Sequence, residues 1–375
     1  MNEEIKAEVT TKDDKGFIKA LPKAVKVFYL CGIVSAFVFV AYIVSESFAD
    51  FTNRYISSVF RAVLAYLTGW IPFSLAEMVI ILSPLIVGTL IVFASRRFAN
   101  SWRDVLFFCV SLFSVLSLFF SVFTFAFAPG YHGTTLDKKL DIERAEVSAE
   151  ELYETALILA DKVNEVVPRV AFRTQNFSIM PYTYGEMNDK LIAAYDKACE
   201  EYNFIQKLDS RLKPVMLSEA MSYTHITGVY TFFTGEANIN VAFPDYTVPF
   251  TAAHELAHQR GVAREDEANF VAYLVCTMSD DPYIQYSGYQ NLFEYVISAL
   301  YRADKELYRE ALSSLRIEAR YEMSAYSDFF DKYRESVASE ISGVVNDTYL
   351  TIQGTPGTAS YGMVVDLAVA YYKAK

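Results

Sequence analysis

The sequence predicts a mostly α-helical protein in two parts, three N-terminal transmembrane helices followed by an extracytoplasmic helical domain that carries one small β-hairpin. Two observations predict the first part. Residues 27–45, 73–94 and 106–127 are long apolar runs, each near the about 20 residues needed to cross the hydrocarbon of a bilayer. A third predicts the second part. Beyond residue 129 apolar side chains recur at helical spacing, as in Leu152, Ala156, Leu159 and Val163, behind a capping box in which Ser148 and Glu151 close a helix N-terminus.

Taken in order, residues 1–26 form a tail with six lysines, Lys6, Lys12, Lys15, Lys19, Lys23 and Lys26. The apolar run after it is long and lacks a convincing small-residue cleavage site, so the start reads as a tail and a span and not a signal peptide. Residues 27–128 are the membrane region. Within it Glu77 is expected to snorkel at the membrane interface, with a functional intramembrane carboxylate as the alternative, and Pro84 to kink the second span. Arg96, Arg97 and Arg103 crowd the short second loop, whereas the longer first loop holds only Arg54 and Arg61. Basic residues mark cytoplasmic loops and acidic ones count little, despite Glu3, Glu4, Asp13 and Asp14. The tail and second loop are therefore expected in the cytoplasm, and residues 129–375 outside the cytoplasmic (inner) membrane.

Composition fits a lipid-contacting chain: 53% of the 375 residues are hydrophobic and 15% aromatic, with mean hydropathy +0.19. Of 33 basic and 45 acidic residues, eleven and nine precede residue 129, leaving 22 against 36 and a net charge of −14 beyond it. Nucleic acid is excluded as a partner, because phosphate binding needs a basic surface. Cys31 and Cys109 fall in spans and read as small apolar residues; Cys199 and Cys276 could pair outside the cytoplasm.

Further helices are expected over 185–203, 264–279, 289–318 and 320–342, with a closing one over 361–372 after the Gly354-Thr-Pro-Gly357 loop signal. Residues 228–234 and 237–243 are rich in β-branched and aromatic side chains around Gly235-Glu236 and read as a hairpin. Tyr283, Tyr286 and Tyr289 are expected to serve packing, with oxyanion donation the alternative.

The chemistry concentrates in His254-Glu255-Leu256-Ala257-His258, which holds two of only four histidines, the others being His132 and His225. Histidines four apart on a helix share a face and can reach one Zn²⁺. Glu255 between them would sit beside the metal and deprotonate a zinc-bound water. Pro249 suits the first turn of the required helix and Gly261 its C-terminal end. Three protein ligands and an open position mark a catalytic zinc. Glu265 is the expected third ligand, sharing a face with Ala268 and Asn269 on the next helix. Glu267 is the competitor, otherwise an acidic residue favoured by the helix dipole. Arg260 departs from the apolar residue usual two positions after the second histidine.

The Glu265-x-x-Ala268-Asn269 pattern resembles the signature of the CAAX prenyl protease and heat-shock membrane protease group. That resemblance implies a zincin-like fold for 129–375, Glu265 as ligand and Asn269 as hydrogen-bond partner of a ligating histidine. It also implies a strand of the hairpin beside the cleft, able to pair with an extended substrate. More broadly, the run from Thr234 through Asn269, with Tyr286-Ser287-Gly288-Tyr289, resembles an uncharacterised bacterial membrane protein family known as a domain of unknown function. That likeness implies the same topology and zinc site, and brings no substrate.

The motif helix is flanked by Thr251, Gln259, Arg260 and Arg264, too polar to lie within lipid. The expected activity is zinc metallopeptidase hydrolysis of a peptide or protein substrate at the outer membrane face, with Glu255 as general base and then proton donor. The rival is a membrane sensor or scaffold with a structural or degenerate zinc site that binds an envelope component. A permease is disfavoured by three spans almost without internal polar residues.

Overall fold

The structure, a computed structural model, describes residues 17–97, 102–173, 177–334 and 336–375. Lys6, Lys12, Lys15, Glu3, Glu4, Asp13 and Asp14 lie outside the described residues. Helices Lys23–Val44, Leu75–Arg97 and Trp102–Ala126 are each long and apolar enough to cross a membrane. The first and third pack side by side. Gly32 lies so close to Ser117 that an added Cβ would come within 2.8 Å of its Cβ, the small-residue contact typical of membrane helices. Tyr29 donates to the Val110 carbonyl at 2.8 Å in the same interface. The second stands apart, with none of its most apolar window buried.

Glu77 does not reach into open solvent as a snorkelling side chain would. It is buried, 6% exposed, and accepts from the backbone N–H groups of Met216 at 3.0 Å and Leu217 at 2.7 Å. Glu236 returns the favour, accepting from the Leu75 and Ala76 amides, both at 3.1 Å. A helix start has amides without intrahelical partners, and a carboxylate from the C-terminal domain fills that need here. The boundary at 128/129 is thus crossed by several contacts.

The first loop is also structured. Ser45 caps helix Glu46–Phe51, which runs through a π-helical turn, Thr52–Ser57, into helix Ser58–Gly69. Arg61, counted above only as a loop charge, is 1% exposed. It donates to the Asn53 and Ala126 carbonyls, Asn53 Oδ1 and Gln206 Oε1, at 2.7–3.3 Å. Burial lowers its pKa to about 10, leaving it charged at neutral pH, and five donated bonds match what a buried guanidinium demands.

In the C-terminal domain, capping boxes open Ala149–Val166 and Tyr184–Glu201. The expected single helix over 289–318 starts earlier and is divided. Asp281 caps Pro282–Ala303, accepting from Tyr283 N at 2.9 Å, and Asp304 ends that helix and caps Lys305–Ser314, accepting from Glu306 N at 2.8 Å. The expected 320–342 helix likewise divides into Ile317–Asp331 and Val337–Ile352, the second capped by Ser336. The chain closes with a 3-10 turn, Gly357–Met363, and helix Val364–Lys373.

The hairpin forms, with strands β2 (Gly228–Thr231) and β3 (Glu236–Ile239) antiparallel and Val229 opposite Asn238. A third strand, β1 (Leu212–Pro214), pairs parallel to β3 and gives the order β1-β3-β2. Three residues, one of them proline, carry no strand signal in sequence. The main core runs through Ala149–Val166, the motif helix and Pro282–Ala303. A second cluster, including Tyr42, Phe123, Phe127, Tyr131, Tyr230 and Leu350, joins the span ends to the domain. Tyr283 and Tyr286 are core residues, bonded to Ser178 and Glu322. All four cysteines are free thiols, so Cys199 and Cys276 are not paired.

Candidate metal centre

The motif lies on helix Thr247–Gln259, buried on nearly every side, with Pro249 in its first turn. Its end is fixed by Gly261, whose φ of 91° is strained for any residue with a Cβ. A Cβ there would also meet Arg61 at 2.5 Å and Asn53 at 2.6 Å. Glycine is required for conformation and for space. Arg260, the departure from pattern, is buried over the Tyr195 ring, 3.9 Å from its centroid, and donates to the Leu256 and Leu208 carbonyls. It closes the helix end from the core side and does not face the cluster.

The chain then turns into helix Glu265–Met278, which begins on Arg264 and carries three acids in its first turn, where the helix dipole favours them. The crossing brings Glu265 Oε2 to 3.1 Å from His254 Nε2 and 3.4 Å from His258 Nε2. One donor atom from each of His254, His258 and Glu265 falls within 4.8 Å of the others, and all three residues are buried. The imidazoles are perpendicular, with centroids 4.5 Å apart.

Each ring is fixed from behind. His258 Nδ1 lies 2.7 Å from the Val262 carbonyl, which can only accept, so that nitrogen carries a proton and Nε2 is the one that faces the cluster. His254 Nδ1 lies 2.8 Å from Asn269 Oδ1, the partnership the signature resemblance implies. Burial would raise Glu265, but the two histidines outweigh it and hold its carboxyl well below the usual range. Burial would lower His258, but Glu265 pushes it up to about 9. The electrostatics of the cluster favour bound positive charge. Two imidazole nitrogens and one carboxylate oxygen fit a divalent metal of borderline softness, zinc among them.

Glu267 is directed elsewhere. It accepts from the Leu136 amide at 2.9 Å and lies 3.8 Å from Arg264, so it caps the short helix Leu136–Lys139. Burial pushes it up to about 7.

Glu255 is 4% exposed, and β2 presses against it. An added Cβ on Gly228 would meet Glu255 Oε1 at 2.6 Å. Its Oε2 has no hydrogen-bond partner among the described residues. Burial pushes the carboxyl up to about 7, against the pull of the two histidines. Glu255 and the three cluster residues line one cleft of about 970 Å³. Gly228, Val229 and Tyr230 of β2 line it as well, and β2 is a sheet edge.

Several cleft residues have no signature in the sequence. Phe127 packs its ring 5.8 Å from that of His258, one residue after the third span ends. Tyr131 and Tyr349 share a hydroxyl contact of 3.2 Å, and Glu294 accepts from Tyr246 at 3.0 Å. The cleft residues among them come from three separated segments, so spacing could not have gathered them.

Residues 52–369 match the model of a family described as a protein of unknown function, DUF3810. The chain belongs to the DUF3810 family. The match takes in the second and third apolar helices, the sheet and all three residues of the DUF3810 protein's candidate metal centre. No curated protein and no solved structure matches the chain.

Proposed function

We propose that the protein is a membrane-anchored zinc metallopeptidase, hydrolysing a peptide or protein substrate at the outer face of the cytoplasmic membrane. One observation carries this reading: the buried Glu255, with an oxygen that has no partner among the described residues, shares a cleft wall with three converging donors. A buried unpaired carboxylate oxygen costs stability, and a structural site has no use for it.

When bound at His254, His258 and Glu265, Zn²⁺ supplies a Lewis acid that polarises a scissile carbonyl and acidifies water. Glu255 accepts the proton of the attacking water as its oxygen bonds to the carbonyl carbon. It then returns that proton to the leaving amine as the C–N bond breaks. Val262 and Asn269 hold the two rings so that both Nε2 atoms face Glu265. The free edge of β2 offers backbone groups to an extended chain, which would lay a peptide across Glu255. The contact between Phe127 and His258 supports a site close to the membrane, since Phe127 follows the last residue of a span.

Glu255→Gln separates this from the sensor or scaffold reading. Turnover of a peptide library by the zinc-loaded full-length protein should fall about 10²–10⁴-fold with zinc retained. Unchanged turnover in the variant, or none in the loaded wild type, would contradict the peptidase.

A further inference from the structure

Helix Val337–Ile352 has two faces with different surroundings. Ser339, Ser342, Asn346 and Tyr349 line the cleft. Away from it Val337, Ile341, Val344 and Ile352 are 72%, 61%, 67% and 70% exposed, and Val345, which also borders the cleft, is 63% exposed. At 100° per residue the first four fall within a stripe about 80° wide. The stripe is interrupted by Thr348, whose hydroxyl bonds back to the Val344 carbonyl at 2.7 Å; an apolar stripe of this kind, unlike scattered exposed side chains, implies something that covers it.

Both ends of the helix are tied to the ends of spans. At its C-terminal end Leu350 is buried with Tyr42 and Phe123, and the Tyr349 ring lies 6.3 Å from that of Phe123. Tyr42 is in the last turn of the first span and Phe123 in the last turn of the third. At its N-terminal end Ser336 donates to the Tyr223 carbonyl, and the preceding Tyr333 carbonyl lies 2.6 Å from His225 Nε2. The segment holding Tyr223 and His225 leaves Met216 and Leu217, whose amides are bound by Glu77 in the first turn of the second span. The helix, about 24 Å long by its sixteen residues, therefore bridges the paired spans and the separate one at the level where all three meet the domain. Met216, Leu217 and Trp70, 62%, 51% and 78% exposed, extend the apolar surface near the start of the second span.

We infer that Val337–Ile352 is an interfacial membrane helix, its apolar stripe sunk into the lipid surface and its other face walling the cleft. Continuity with the spans selects lipid as the occupant. The helix has no Lys or Arg, and its acids Glu340 and Asp347 lie off the stripe, Asp347 being engaged by Thr358. Its hold on lipid thus rests on apolar burial and needs no anionic headgroup. The inference requires no metal at the cluster.

The test places single tryptophans in full-length protein in phosphatidylcholine nanodiscs, on a background in which exposed Trp70 and Trp102 are phenylalanine. Ile341→Trp and Val344→Trp should lose most of their emission to lipids brominated along the acyl chain, with or without added anionic lipid. Arg309→Trp, at an exposed position on another helix, should keep its emission. Quenching at 341 and 344 no greater than at 309 would overturn the inference. Bromine-insensitive emission that changes on dilution would overturn it in favour of a second copy covering the stripe.

Discussion

At the scale of single residues, the cluster is built from roles that chemistry keeps apart. His254, His258 and Glu265 converge, Glu255 stands beside them, and Asn269 and Val262 hold the rings. Removing a ring-orienting partner typically weakens metal affinity by about 10–100-fold. Asn269→Ala is expected to do so, as measured by competition with a zinc-sensitive dye, with the fold intact. The two histidines and Glu255 were legible because spacing of four on a helix has one geometric meaning. Glu265 and Glu267 were not separable by the same logic, since both sit in a first turn where any acid is favoured. Only the crossing of the two helices decides that one meets the histidines and the other caps Leu136. Glu77 misled for a related reason: its amide partners at Met216 and Leu217 are 139 and 140 residues away.

At the scale of elements, local signals predicted starts better than lengths. The capping box at Ser148 is present as read. The division at Asp304 was hidden because apolar periodicity continues through it, although an aspartate before Lys-Glu is itself a cap signal. Strand β1 owes its existence to β3 beside it. The helix end at Gly261 was legible, but its tight contact with Arg61 and Asn53 was not. Gly261→Ala should therefore cost about 1–3 kcal/mol, the usual scale of a strained backbone, and lower the thermal midpoint. A midpoint equal to wild type would mean that the left-handed turn and the Arg61 contact are both dispensable.

At the scale of the whole molecule, buried carboxyls tie stability to pH. Burial pushes Glu294 and Glu322 each up to about 7 from an ordinary 4.5. A carboxyl raised on folding contributes stability that is complete below about pH 4.5 and is lost as pH rises through about 7. Glu294→Gln should flatten the fall in thermal midpoint between pH 5 and pH 7.5, its share being of order 2–3 kcal/mol; an unchanged slope would remove Glu294 as a cause. Orientation is tested at the same scale. A cysteine replacing exposed Glu150 should react with membrane-impermeant maleimide in intact cells, and protection until lysis would reverse the topology. Because Arg61, through Gln206, and Glu77 and Glu236 bind the membrane region to the domain, each measurement belongs on the full-length chain.

Whether the cluster holds zinc is decided by the metal content of purified full-length protein, measured by elemental mass spectrometry for wild type, His258→Ala, Glu265→Ala and Glu267→Ala. The three-ligand site requires about one zinc per chain, lost with His258 and Glu265 and kept with Glu267, whose variant loses the cap on Leu136 and the contact with Arg264. A folded wild type without zinc, or zinc held equally by Glu265→Ala, would contradict it.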